Sequence, residues 1–115
     1  MSVSLRAGGA REVWKSLREI IADLRGFLET DDYRLVVSAH ERCEAMATVK
    51  EAAELSGFKD LQANLKQMRE KIEKNGYNLS TIEHGLLAQQ AVYAISRANI
   101  LATGLEFRFK RARGG

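Results

Sequence analysis

Residues 80–104, STIEHGLLAQQAVYAISRANILATG, are the most informative stretch of this 115-residue chain. The stretch begins with Ser80 and has Glu83 three residues later. This is a capping box, in which each side chain accepts a hydrogen bond from the other residue's backbone N–H. It ends at Gly104, and glycine commonly terminates helices. The sequence therefore predicts a helix from Ser80 to about Thr103.

Apolar residues cover more than half of the circumference of this helix. They form one row of Ile82, Leu86, Tyr93 and Ile100, a second of Leu87, Ala91, Ala94, Ala98 and Leu101, and an extension of Ala88, Ile95 and Ala102. A helix that is apolar over so wide an arc is central in its fold or also contacts a second molecule. We expect a partner to contact Tyr93, Ile95, Ala98 and Ala102.

Three further amphipathic helices are predicted before this one. Apolar residues spaced three and four apart indicate helices from about Ala10 to Glu29, from about Tyr33 to Leu55, and from about Phe58 to Lys74. Residues 30–32 provide a turn and N-caps for the second helix. Asn75 and Gly76 provide the stop after the third.

Four such helices with short connections, in a chain without proline, predict an all-α protein. The expected architecture is an antiparallel, up-down-up-down four-helix bundle formed by residues 1–104 as a single domain. Residues 105–115 would follow it as a basic, aromatic C-terminal tail.

The tail, LEFRFKRARGG, alternates apolar and charged residues, which is typical of a strand. Residues 2–6, SVSLR, alternate as well. An even number of helices places both termini at the same end of a bundle. The two segments are therefore expected to form a short β-like ribbon, and the alternative is a tail that stays disordered until it binds.

The net charge of +3 is located in the tail. The tail contains four cations, Arg108, Lys110, Arg111 and Arg113, and one acidic residue, Glu106. Residues 1–104 are therefore neutral overall. Phe107 and Phe109 are interleaved with these cations. Basic groups that contact phosphates, together with aromatic faces that stack on bases, suggest nucleic-acid binding as a second hypothesis. In the leading hypothesis the two phenylalanines are protein contacts.

Candidate catalytic residues are few. Cys43 is the only cysteine, which excludes an intrachain disulfide and a multi-cysteine zinc site. It falls on the apolar face of the second helix, where a buried thiol is normally inert. His40 and His84 have no metal-binding spacing, and no Glu-x-x-His motif is present. The sequence predicts no metal, no cofactor, no small-molecule substrate and no enzymatic activity.

His40 supports a third hypothesis. A small helical bundle with an exposed histidine on its second helix resembles histidine-containing phosphotransfer domains, which relay a phosphoryl group between response regulators. The resemblance implies His40 as the phosphoacceptor. Those domains carry a lysine and a small residue, usually glycine, after the histidine, whereas this chain has Glu41, Arg42 and Cys43.

The first residues lack the apolar core of a signal peptide, and no apolar run approaches the roughly 20 residues that cross a bilayer. We therefore expect a cytoplasmic protein. The leading hypothesis is a non-enzymatic helical-bundle protein that forms a homo-oligomer or binds a protein partner through its last helix and tail.

Overall fold

Helices are the regular elements of the chain in the computed structural model, which describes the backbone of residues 2–114 and the side chains of residues 9–110. They are α1 (Ser2–Thr30), α2 (Tyr33–Met46), α3 (Lys50–Ala53), α4 (Phe58–Lys74) and α5 (Thr81–Gly114). The prediction of an all-α protein is confirmed.

The four long helices pack side by side. Both α1 and α4 pack against α2 and α5, and the short α3 packs against α1 and α4. The molecule measures 52 × 22 × 21 Å. At 1.5 Å of rise per residue, the 34 residues of α5 extend for about 51 Å, so α5 runs the whole length of the molecule.

The core lies between these helices and is built from one stripe on each. Its buried residues include Val13, Leu17, Ile20, Leu24 and Phe27 of α1, Val36, Ala39, Cys43 and Met46 of α2, Phe58, Leu61, Leu65, Met68 and Ile72 of α4, and Leu87, Ala91, Ala94, Ala98, Leu101 and Leu105 of α5. Stripes with this spacing bury one face of each helix and leave the other in water. All five α1 residues are fully buried, and none of the five α4 residues has more than 2% of its surface exposed, so the predicted stripes are confirmed.

Local signals in the sequence fix several helix ends. The Asp32 carboxylate accepts a hydrogen bond from the Arg34 backbone N–H at 3.0 Å and caps α2. The capping box is present as predicted, because Ser80 and Glu83 exchange two hydrogen bonds of 3.2 Å. After α4, Gly76 adopts the left-handed conformation, with φ of 61°.

The predicted second helix is shorter than expected. It ends at Met46 rather than Leu55, and α3 follows as a separate element. The Thr48 hydroxyl donates to the Ala45 carbonyl at 2.9 Å, which gives the backbone a local alternative to a continued helix. Val49 is then extended, with φ of −87° and ψ of 127°, and precedes α3.

The predicted terminal ribbon is wrong, because both segments are helical. Residues 2–6 belong to α1, which begins before the predicted start at Ala10, and α5 continues through Gly104 to Gly114. Leu105 is fully buried, and Phe109, four residues later, packs against the core. Since residues four apart share one helix face, this burial favours a helix over a strand.

We expect Leu65→Ala to lower the free energy of unfolding by about 2–5 kcal/mol, because it leaves a cavity among fully buried side chains. Gln67→Ala, on the exposed side of the same helix, is the control and should change it by less than about 0.5 kcal/mol. Urea denaturation followed by circular dichroism measures both. Equal values for the two variants would contradict the assignment of Leu65 to the core.

Candidate interaction surface

The side of α5 that faces away from the core is also apolar. We call it the outer strip, and it consists of Ile82, Leu86, Tyr93, Ile100 and Phe107. These side chains are between 48% and 78% exposed. Val92 lies beside the strip and is exposed as well. Single exposed apolar residues are ordinary, whereas a row of large ones on one helix face makes this side of α5 the candidate surface.

The outer strip has a regular period. Leu86, Tyr93, Ile100 and Phe107 follow one another at intervals of seven residues, and Ile82 precedes Leu86 by four. Intervals of four and seven place all five residues along one line of the helix. An apolar residue at every seventh position gives the helix one line of large side chains, which is one of the two apolar positions that a coiled-coil seam has in each repeat.

Small or uncharged residues lie between many of the large side chains of the strip: Gly85, Gln89, Ser96, Thr103 and Gly104. No neighbouring heavy atom lies within 4 Å of the position that a Cβ would take at Gly85 or Gly104. The backbone of α5 is therefore open at both positions, and another helix could approach it closely.

Tyr93 is held in place on the strip by its neighbours. The Arg97 guanidinium donates a hydrogen bond of 2.8 Å to the Tyr93 hydroxyl and lies 5.4 Å from the centre of its ring. Beside it, a groove of about 370 Å³ between α4 and α5 is lined by Asn64, Lys71, Leu86, Gln89, Gln90 and Tyr93. The strip thus continues into a groove of mixed polarity.

The residues predicted as partner contacts divide into two groups. Tyr93 and Phe107 lie on the outer strip. Ala98 and Ala102 are fully buried in the subunit's own core, and Ile95 packs against that core, as does Phe109. The larger exposed residues Ile82, Leu86 and Ile100 were missing from the predicted contacts, although the sequence places them in the same row as Tyr93.

The basic end of α5 is exposed where the structure describes it. Arg108 and Lys110 both extend into solvent. The side chains of Arg111 and Arg113 lie outside the described part of the chain. Phe109 does not offer a free ring face, because the Arg11 guanidinium lies 5.3 Å from its centre.

His40 is not an exposed histidine. It is 8% exposed, with Nδ1 3.2 Å from the Arg69 guanidinium and Nε2 3.6 Å from the Glu44 carboxylate. The second distance permits charge attraction but is too long for a hydrogen bond. A phosphoacceptor must reach an incoming phosphoryl group, and here a carboxylate lies in front of the ring. This geometry does not favour phosphotransfer through His40.

A cluster of Tyr33, His84 and Asp31 was not found by sequence reasoning, because His84 is more than 50 residues from the other two. The Tyr33 hydroxyl lies 2.7 Å from His84 Nδ1, and His84 Nε2 lies 3.0 Å from Asp31 Oδ1. Burial, and then the charges of Asp31 and Glu83, raise the pKa of the Tyr33 phenol. A raised phenol pKa does not favour activation as a nucleophile. The two contacts join the start of α2 and the α1–α2 turn to α5.

A scan of protein-family models finds no match to this chain, and searches among curated proteins and solved structures give no significant match. No relative therefore suggests a function. In the described part of the chain, no helix is sufficiently long and apolar to cross a bilayer. Nor do three His, Cys, Asp or Glu side chains converge there as metal ligands.

We expect Cys43 to resist thiol reagents in the folded protein. Burial, and to a lesser extent the charge of Glu44, raises the pKa of its thiol to about 12, so the reactive thiolate is scarce at neutral pH. Reaction with Ellman's reagent at pH 7.5 should be far slower in buffer than in urea. Equal rates would contradict the burial of Cys43.

Proposed function

We propose that this chain is a non-enzymatic interaction protein that associates, with itself or with another protein, through α5. The observation that supports this proposal is the outer strip. Five large apolar side chains lie exposed along about 38 Å of one helix, from Ile82 to Phe107. Burying a Leu or Ile side chain completely is worth about 1.5–3 kcal/mol, and between 48% and 78% of the surface of each strip residue remains in water.

We further propose that α1, α2, α4 and α5 form the up-down-up-down four-helix bundle. Contacts between neighbouring helices support antiparallel pairs. The hydroxyl of Ser38, in the first half of α2, donates a hydrogen bond of 3.0 Å to the carboxylate of Asp23, late in α1. Arg42, later in α2, pairs with Glu19, which is earlier in α1. In such a bundle each helix has two neighbours, and the outward side of α5 is left for a partner.

Nucleic-acid binding is the second candidate. Phe107, Arg108 and Lys110 are exposed together at the end of α5, and such groups bind phosphates and stack on bases. Two findings make it weaker than protein association. The segment is helical rather than an extended strand, and Phe109 is packed against the core.

Photo-crosslinking tests association through α5. A benzoylphenylalanine at position 100, where Ile100 is 62% exposed, should form covalent protein adducts in the cells that make the protein. The same group at position 77, where Tyr77 is also exposed but lies in the α4–α5 turn, is the control and should form few. If position 100 gives no more adducts than position 77, the proposal is wrong.

Fluorescence anisotropy with a labelled single-stranded oligonucleotide tests the second candidate. If the basic end of α5 binds phosphates, Arg108→Glu combined with Lys110→Glu should abolish binding, and the affinity of the original chain should fall steeply as salt is raised. Lys59→Glu combined with Lys66→Glu, which reverses two exposed lysines of α4, is a charge-matched control. Binding that is insensitive to salt, or lost equally in both double variants, would exclude the candidate.

A further inference from the structure

We propose that the occupant of the outer strip is a second copy of this chain, with the two α5 helices packed antiparallel about a twofold axis. The axis runs between the two helices at the level of Ala94 and Ile95, which is the midpoint of the strip from Ile82 to Phe107. This inference rests on the proposed function, because it specifies the partner of the same surface.

The spacing of residues along the strip supports this pairing. Leu86, Tyr93, Ile100 and Phe107 occupy one position of the seven-residue repeat, and Ile82, Gln89, Ser96 and Thr103 occupy the position four residues before each. In antiparallel helix pairs, residues of the first kind lie beside residues of the second kind from the partner.

With the axis at the midpoint, every bulky residue meets a complementary one. Phe107 lies beside Ile82 of the second copy at each end of the interface. Towards the centre, Leu86 lies beside Thr103, Ile100 beside Gln89, and Tyr93 beside Ser96. Large side chains that alternate with smaller ones interdigitate without voids, which two smooth apolar rows cannot do.

The glycines of α5 obey the same symmetry. Gly85 and Gly104 are equally distant from the axis, so one glycine from each copy lies at each end of the interface, on opposite edges of the seam. Both are open, with no neighbouring heavy atom within 4 Å of a Cβ position. The two backbones can therefore approach closely near both ends of the interface.

Charge favours the antiparallel arrangement over a parallel one. A parallel pair would place Arg108 and Lys110 of both copies at one end. In the antiparallel pair, Arg108 lies opposite Thr81 of the second copy, which separates the two Arg108 residues by 27 positions, or about 40 Å. This distance exceeds the Debye length of about 8 Å at physiological salt, so the basic ends do not repel each other appreciably.

The charges that flank the strip are also compatible with this pairing. At the edges of an antiparallel seam, Glu83 lies near Gly104 of the second copy and Glu106 near Gly85. Arg97 lies near Gln90 of the second copy. Each of these three charged side chains thus has an uncharged residue of the second copy beside it.

Sedimentation equilibrium of the full chain, from about 1 µM to about 1 mM, tests the self-association. The mass should rise towards twice 12.9 kDa. Ile100→Glu should weaken the dimer at least tenfold, since it introduces a charge into the seam at an exposed position. Tyr77→Asn, which removes an exposed aromatic side chain outside the strip and keeps a residue that tolerates the local left-handed backbone, should leave the dimer unchanged.

Mixing two cysteine variants tests the orientation. Leu86→Cys and Thr103→Cys, mixed in equal amounts and mildly oxidised, should form a disulfide mainly between one copy of each, because these two positions face each other only in the antiparallel pair. Thr103→Cys alone should form little covalent dimer. The natural Cys43 is buried and does not compete.

The outcomes separate the two proposals. A disulfide between the two different variants, together with a dimer that Ile100→Glu weakens, supports the twofold pair. Disulfides that form only within each variant, or a dimer without any disulfide, overturn the antiparallel register. A monomer at every concentration overturns self-association altogether. In that last case, crosslinks from position 100 to another protein in cells would leave association through α5 standing with a different partner.

Discussion

The packing of the alanine row of α5 into the core is the constraint on which the rest of the structure depends. Ala91, Ala94 and Ala98 have no exposed surface and lie in the same buried cluster as the larger leucines and isoleucines of α1. Small side chains let neighbouring helix axes approach closely. Because the alanines face inward, the bulky residues on the opposite side of α5, Tyr93 and Ile100 among them, must face outward.

Polar clusters between the helices support this orientation. Arg42 of α2 reaches Asp23 of α1 at 2.9 Å, Arg69 of α4 reaches His40 of α2, and His84 of α5 reaches Asp31 in the turn after α1. Apolar contacts are tolerant of sliding, whereas hydrogen-bonded and charged pairs require a particular register. Polar side chains therefore fix the register of three contacts, which are α1 with α2, α2 with α4, and the α1–α2 turn with α5.

Much of the helical structure could be predicted from the sequence, and the failures have physical causes. The stripe of α4 and the Ser80–Glu83 capping box depend on residues close in sequence, so the pattern is sufficient. The break after Met46 arises from a side-chain bond by Thr48, a residue that also occurs inside helices. The continuation of α5 through Gly104 depends on the burial of Leu105 and Phe109, which is a tertiary contact that weighs more than the weak helix propensity of one glycine.

The candidate surface was only partly predictable for a related reason. The sequence shows that α5 is apolar over a wide arc, but periodicity alone does not reveal which row is buried. The prediction assigned Ala98 and Ala102 to a partner, whereas they lie in the core because their small size suits close helix packing. The Tyr33–His84–Asp31 cluster could not be found at all, since only the fold brings these residues together.

The burial of Cys43 has a consequence for its reactivity towards oxidants. Peroxides and oxidised glutathione attack the thiolate, and with a pKa of about 12 only about one thiol in 10⁵ is ionised at pH 7. The only thiol of the chain is thus protected from these oxidants in the folded protein. Cys43 should therefore stay a free thiol for as long as the chain is folded.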